Sequence, residues 1–307
     1  MRIFCTGASG YIGGSIAVAL LADGHEVAGL VRSDESAALV RSHGIAPILG
    51  SLDDLDVLKA EAARSDAVIH AASSDHEPSG LAILDVLAGT GKAFIHTSGT
   101  SIVGTQAAGH RVDDVFDETT PLNPSSGRAA RIALNARILA FKERNVRSVI
   151  ICPSLIYGLG TGVAKHSIQV PWLIALAKKT GIAKHYGPGE NIWSNVHIAD
   201  LVDLYRLALE GAPAGALYFA ENGENSMKDI CEAINRKLRV ASGTVPMSLE
   251  EAAREWGEGA TQNTMGSNSR VRAVRAREEL GWSPSHPSLI SEIEQGCYSA
   301  SLGSASE

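Results

Sequence analysis

The chain has 307 residues, 45% hydrophobic and 20% charged, an ordinary globular composition that can bury a substantial core. A formal charge of −7 with no block of Lys or Arg argues against nucleic acid or an anionic membrane as the main partner, so a small molecule is the expected one. No apolar run reaches the roughly 18 residues of a spanning helix, and Met1-Arg2-Ile3-Phe4-Cys5 leads straight into a glycine turn without room for a cleavable leader, so a cytoplasmic protein is expected.

In chain order, short β-rich apolar runs at 2–5, 26–31, 46–49, 67–70, 93–97 and 148–152 alternate with helical patterns, the sequence form of βαβ units. In the first helix Ile12, Ile16, Ala19 and Leu20 share a face until Asp23-Gly24 ends it. A later one, 130–143, puts Leu134, Ile138 and Phe141 on one side. After Pro153 the alternation becomes irregular, with Gly and Pro clusters at 158–162 and 187–189 and helices near 198–209 and 226–238. The expectation is an α/β fold, a Rossmann-type doubly wound parallel sheet over 1–153. A smaller C-terminal substrate lobe with additional sheet elements follows over 154–300, then a flexible tail over 301–307. Cys5, Cys152, Cys231 and Cys297 are far apart and form no C-x-x-C pair, so buried reduced thiols are expected, without metal or disulfide.

The turn Thr6-Gly7-Ala8-Ser9-Gly10-Tyr11-Ile12-Gly13 follows a strand and opens a helix, the context in which such a glycine spacing binds a nicotinamide dinucleotide. Gly7 permits the tight turn, Gly10 lets backbone approach the pyrophosphate, and Gly13 lets the helix pack close to the sheet. The pyrophosphate is expected on the free N–H groups near Tyr11, with Ser9 and Ile12 in the same turn. The second run is followed by Arg32, where an Asp or Glu would bind the ribose diol of NAD; a guanidinium pairs with a 2′-phosphate instead. NADP(H) is therefore the expected cofactor, lying beside Ala71, Ala72, Ser73 and Thr97 at the carboxyl ends of the strands.

These residues resemble the extended short-chain dehydrogenase/reductases, the family of sugar-nucleotide epimerases, dehydratases and dihydroflavonol-type reductases, almost end to end. Beyond the turn, Asp66-Ala67-Val68-Ile69-His70-Ala71-Ala72 is similar to the family's fourth strand. Ile151-Cys152-Pro153-Ser154-Leu155-Ile156-Tyr157-Gly158 is similar to the strand and Tyr-Gly segment after the catalytic helix. Val196-His197-Ile198-Ala199-Asp200 resembles a His-Val-x-Asp helix start, and Leu280-Gly281-Trp282-Ser283-Pro284 a C-terminal Leu-Gly-Trp-x-Pro. The resemblance implies cofactor contacts from Pro153 and Leu155, and from Ser51-Leu52 where the family often carries Asp-Leu beside the adenine.

The family's catalytic Tyr and Lys lie four residues apart on one helical face, where the ammonium lowers the phenol pKa. Here Pro124-Ser125-Ser126-Gly127-Arg128-Ala129-Ala130-Arg131 occupies that place, so Gly127 falls at the Tyr and Arg131 at the Lys. The phenol is absent. Arg131 can still hydrogen-bond the nicotinamide ribose, but it is too basic to serve as the acid. The family's Ser or Thr falls within Thr97-Ser98-Gly99-Thr100-Ser101, with Gly99 at the catalytic position and Ser98 and Thr100 beside it. Tyr157, His166 and a water held by Ser98 are candidate proton donors. Trp193-Ser194 replaces the Arg-Asp that sugar-nucleotide enzymes place before the His-Val segment. That replacement removes a diphosphate clamp and makes Trp193, with His166, a candidate contact for a smaller, more apolar substrate. The resemblance implies an atypical NADP(H)-dependent oxidoreductase that reduces a carbonyl, quinone, imine or conjugated compound with a non-standard proton donor. The alternatives are a non-catalytic NADP(H)-binding redox sensor or scaffold, and an isomerase or lyase; assembly as a homodimer stays open.

Overall fold

The computed structural model describes residues 1–122 and 127–303. The chain alternates β1 (Arg2–Thr6), α1 (Tyr11–Ala22), β2 (Glu26–Val31), α2 (Asp34–Ser42), β3 (Ala46–Leu49), α3 (Leu55–Ala63), β4 (Ala67–His70), α4 (Glu77–Leu87) and β5 (Ala93–Thr97). After the short β6 (Thr105–Gln106) come α5 (Ala129–Ala140), β7 (Arg147–Pro153) and β8 (Leu155–Tyr157). Then follow α6 (Gln169–Thr180), β9 (Lys184–Tyr186), β10 (Ile192–His197), α7 (Ile198–Gly211), β11 (Ala216–Ala220), β12 (Glu224–Ser226) and α8 (Met227–Leu238).

Ile3, Phe4, Val68, Ile69, Phe94 and Ile95 are fully buried, the pattern of strands covered by helices on both faces. They lie inside a seven-stranded sheet of order β11-β7-β5-β4-β1-β2-β3, parallel throughout. The fold is the expected Rossmann-type α/β architecture. Strand order reverses between β1 and β4, with Cys5 opposite both Gly29 and Ile69, so a crevice opens at the carboxyl ends of these two strands.

The helix anticipated over 130–143 is α-helical only to Ala140. Phe141–Arg144 tightens into a 3₁₀ turn, and Asn145 takes the left-handed conformation (φ 52°) that ends it. The interval 154–300 contributes to two bodies. Its α7 and β11 pack with the central sheet, whereas β8, β10 and β12 form a three-stranded sheet over a second core of Leu155, Tyr157, Leu173, Trp193, Met227 and Ile230. Of the segment 301–307 expected as a flexible tail, residues 301–303 instead end a short helix, Ser299–Gly303, because Leu302 packs into that second core at 3% exposure; residues 304–307 lie outside the described residues. No helix among the described residues is long and apolar enough to cross a membrane.

Candidate functional site

Thr6 ends β1, and the chain turns at Gly7 with φ +78°, a conformation that L side chains rarely adopt. A Cβ there would also sit 2.8 Å from the Ala71 carbonyl carbon at the end of β4. Gly10 N donates to Gly7 O at 2.9 Å, and Gly10 caps α1 without a side chain, so the first N–H groups of the helix face outward with its positive dipole end. Gly13 packs directly on the Gly7 carbonyl, where any Cβ would collide. Helix and turn thereby line one side of a cavity of about 500 Å³ at the sheet's switch point. This cradle fits a dinucleotide pyrophosphate.

Gly7, Ser9, Gly10, Tyr11, Ile12, Gly13, Arg32, Ser51, Leu52, Ala71 and Ala72, named from the sequence as cofactor contacts, line this groove, and so does His166, named there as a substrate contact and candidate proton donor. Arg32 is exposed there and forms no ion pair or hydrogen bond with the described residues. The groove also takes in Ser36, Ser154, Ile156, Ser167 and Gln169, which the sequence reading passed over. For Ser154 and Ile156 the signal was period-two alternation along β8: Leu155 and Tyr157 turn into the second core and their neighbours turn out.

Several anticipated residues do not line the groove. Thr97 is 5% exposed, its hydroxyl 2.6 Å from the Tyr205 hydroxyl. Ser73 Oγ accepts from the Asp75 N–H, Pro153 ends β7, and Leu155 is buried in the lobe. Tyr157 is fully buried; its hydroxyl donates to the Pro287 carbonyl at 2.9 Å, and burial pushes its pKa up. That environment suits packing rather than proton donation toward the groove. Trp193 is 5% exposed, donating Nε1–H to the Ser267 carbonyl at 2.7 Å inside the lobe.

Around Arg131 the chain builds a second, polar arrangement. Its guanidinium forks onto Asp75, Nε to Oδ1 at 2.7 Å and Nη2 to Oδ2 at 2.5 Å, while Nη1 donates to Ser101 Oγ at 2.9 Å. The hydrogen bond from Arg131 holds the Asp75 carboxyl below the usual carboxylate range. Ser98 Oγ, 4% exposed, accepts from Asn135 Nδ2 at 3.0 Å, and Thr100 Oγ1, with no exposure, accepts from Ser269 Oγ at 2.9 Å. Neither lines the groove of about 500 Å³ or a second cavity of about 310 Å³. Ser101 borders the second cavity, with Gly104, Gln106, Gly127 and Arg128. A Cβ at Gly127 would meet nothing within 4 Å, so the position lacking the phenol stands in open space. The preceding residues 123–126 of the same motif lie outside the described residues.

Beneath this site, His70 and His96 share a hydrogen bond between their Nδ1 atoms at 3.1 Å, and His70 Nε2 lies 2.9 Å from Ser79 Oγ. Burial drives their pKa values down to about 3 and about 4, so both rings are neutral. Cys5 and Cys152 are buried free thiols pushed up to about 12. Among the described residues no group of three or more His, Cys, Asp and Glu is placed to hold a metal.

An uncharacterized protein of Schizosaccharomyces pombe is 34% identical over 312 residues, covering 97% of this chain and 100% of that protein. A 4-hydroxy-2-methyl-3-oxo-4-farnesyl-3,4-dihydroquinoline-1-oxide ketoreductase of Stigmatella aurantiaca is 29% identical, covering 84% of this chain and 80% of its own. The structure of a dTDP-glucose 4,6-dehydratase from Bacillus anthracis, solved in complex with NAD, shares the fold with a TM-score of 0.75 at 18% identity, over 99% of this chain and 94% of that one. Residues 3–218, which carry the glycine turn, the switch-point groove and Arg131, match the NAD dependent epimerase/dehydratase family, and the chain belongs to that family.

Proposed function

We propose that the protein is an NADP(H)-dependent reductase that transfers hydride to a small, fairly apolar carbonyl, quinone or conjugated compound, without the family's phenol as proton donor. The observation that carries this reading is the groove itself. An unpaired Arg32 stands at its outer end, the cradle of Gly7, Gly10 and Gly13 lies along it, and Ala71 and Ala72 line it at the end of β4. When bound, the cofactor would supply the hydride; the chain would hold its pyrophosphate on the start of α1 and its 2′-phosphate on Arg32. The ketoreductase relative, whose named substrate is an oxidised quinoline carrying a farnesyl chain, supports an apolar oxo compound over a sugar nucleotide.

The test is fluorescence titration with NADPH and NADH, followed by NADPH consumption across aldehydes, ketones, quinones, enones and sugar nucleotides. Tight NADPH binding with turnover of at least one activated acceptor is the expected result. Tight binding with no turnover on the whole panel would replace the reductase reading with the redox-sensor one.

A further inference from the structure

Of the hydroxyls at residues 98, 100 and 101, that of Ser101 is the one placed to donate a hydrogen bond to a ligand. Ser98 and Thr100 are buried and bonded to Asn135 and Ser269. Ser101 Oγ accepts from Arg131 Nη1 at 2.9 Å, donates to none of the described residues, and borders the cavity of about 310 Å³. A hydroxyl that accepts from a guanidinium loses electron density from its own O–H bond and becomes a stronger donor. Asp75 grips Nε and Nη2 and so leaves Nη1 for Ser101. A Cβ built on Gly99 would lie 3.7 Å from Arg131 Nη1 and 4.0 Å from Ser101 Oγ. The oxygen that the family's pattern puts on residue 99 is thus supplied beside it, from two residues further along.

We propose that Ser101 is a catalytic residue, the hydrogen-bond donor to the carbonyl oxygen of a substrate seated in this cavity, with Asp75 a positioning residue that acts through Arg131. The inference rests on the hydride-transfer reading. In the step, hydride from NADPH adds to the carbonyl carbon and the C=O π pair moves onto oxygen. The Ser101 O–H stabilises that oxyanion as it forms, and a water from the open cavity supplies the proton that completes the alcohol, leaving hydroxide to the solvent. Ser101 finishes with its own proton, so no serine alkoxide is required. The volume suits one small ring or a short-chain ketone.

The experiment uses the full chain and 4-nitrophenol, whose phenolate oxygen imitates the oxyanion and whose ionisation is read by visible absorbance. Wild type is expected to shift the ionisation constant of the bound phenol at least about tenfold toward phenolate. Ser101→Ala should lose the shift, Ser101→Thr should retain most of it, and Asp75→Asn should shrink it. No shift in wild type, or an equal one in Ser101→Ala, overturns the proposal whatever the protein does with NADPH. On any acceptor the wild type reduces, Ser101→Ala should lower kcat about 10²-fold with unchanged NADPH affinity; an unchanged kcat also overturns it. A phenolate shift that depends on Ser101 in a protein that reduces nothing upholds the donor site and removes the reductase reading.

Discussion

Arg32→Asp probes the cofactor end of the groove with few side effects on the fold. Arg32 is exposed just past β2 and has no partner among the described residues, so its removal orphans no buried charge. The fold should change in stability by no more than about 0.5 kcal/mol. Binding should change far more. A charge-assisted hydrogen bond to a 2′-phosphate is worth about 1.5–3 kcal/mol, which converts to a rise of about 10- to 150-fold in the NADPH Kd. The new carboxylate can accept from the ribose diol of NADH, so the NADPH-to-NADH preference should move further than the NADPH Kd alone. Titration of both nucleotides by nicotinamide fluorescence, on both chains and at two salt concentrations, measures this. The wild-type preference should weaken with salt because the guanidinium is solvent-exposed. An unchanged preference would refute the assignment. Attention would then pass to Ser36, which lines the groove; the Ser33 hydroxyl already caps α2 by accepting from Ser36 N at 3.2 Å.

Gly13→Ala drives a methyl into the Gly7 carbonyl and should cost about 1–3 kcal/mol together with NADPH affinity; a thermal melt and titration matching wild type would show that helix and turn can separate freely. Gly127→Tyr places a phenol in open space in the turn before α5, four residues ahead of Arg131, so stability should hold and reduction of plain ketones should rise, up to about 10²-fold. A folded variant with no gain would mean that this position does not face the reacting carbonyl. Burial keeps His70 and His96 neutral, with pKa values near 3 and 4, whereas in the unfolded chain they titrate near 6.5. The unfolded chain therefore binds protons that the fold refuses: stability is full above about pH 6.5 and falls as the pH drops toward 4. Urea titrations at pH 8 and pH 5 should show the loss, and His96→Phe should reduce it; an equal loss in both chains would assign the acid sensitivity elsewhere.

The fold was legible because its signals are local. The apolar runs at 26–31, 46–49, 67–70 and 93–97 coincide with β2 to β5; β4 and β5 are buried along their whole length and so carry mostly apolar side chains, while β3 is a partly exposed edge strand marked by its short apolar run. The glycine turn was legible for the same reason, as the positive φ of Gly7 and the contacts of Gly10 and Gly13 with the Gly7 carbonyl all arise within seven residues. The chemistry around Arg131 was not, because its partner Asp75 lies 56 positions earlier and meets it only when α5 packs beside the β4 end. The pattern named Ser98 and Thr100 beside residue 99, and it could not say that both are buried while Ser101 borders a cavity. The backbone changes there from strand to a 3₁₀ turn at Thr100–Val103, so two-residue alternation no longer says which hydroxyl faces outward. Trp193 shows a different limit: a Trp suits a binding wall and a packed lobe equally, and its Nε1–H found a carbonyl inside the lobe.

The sheet order also bears on how the chain is made. β7 lies beside β5 near one end of the sheet, and its outer neighbour β11 is not synthesised until the strands, two helices and loops between Leu155 and Gly211 have left the ribosome. During that interval the backbone groups of residues 149–153 that later pair with β11 form an open edge on a strand whose side chains are almost wholly apolar, the kind of template that recruits another chain. Arg147, at the start of β7, later donates to the carbonyls of Ala208 and Leu209 at the end of α7, so the same strand waits for both its cover and its neighbour. Nascent chains halted before Ala216 should therefore be more prone to aggregate than chains released past Ala220, and ribosome-stalled chains of the two lengths would show the difference by sedimentation.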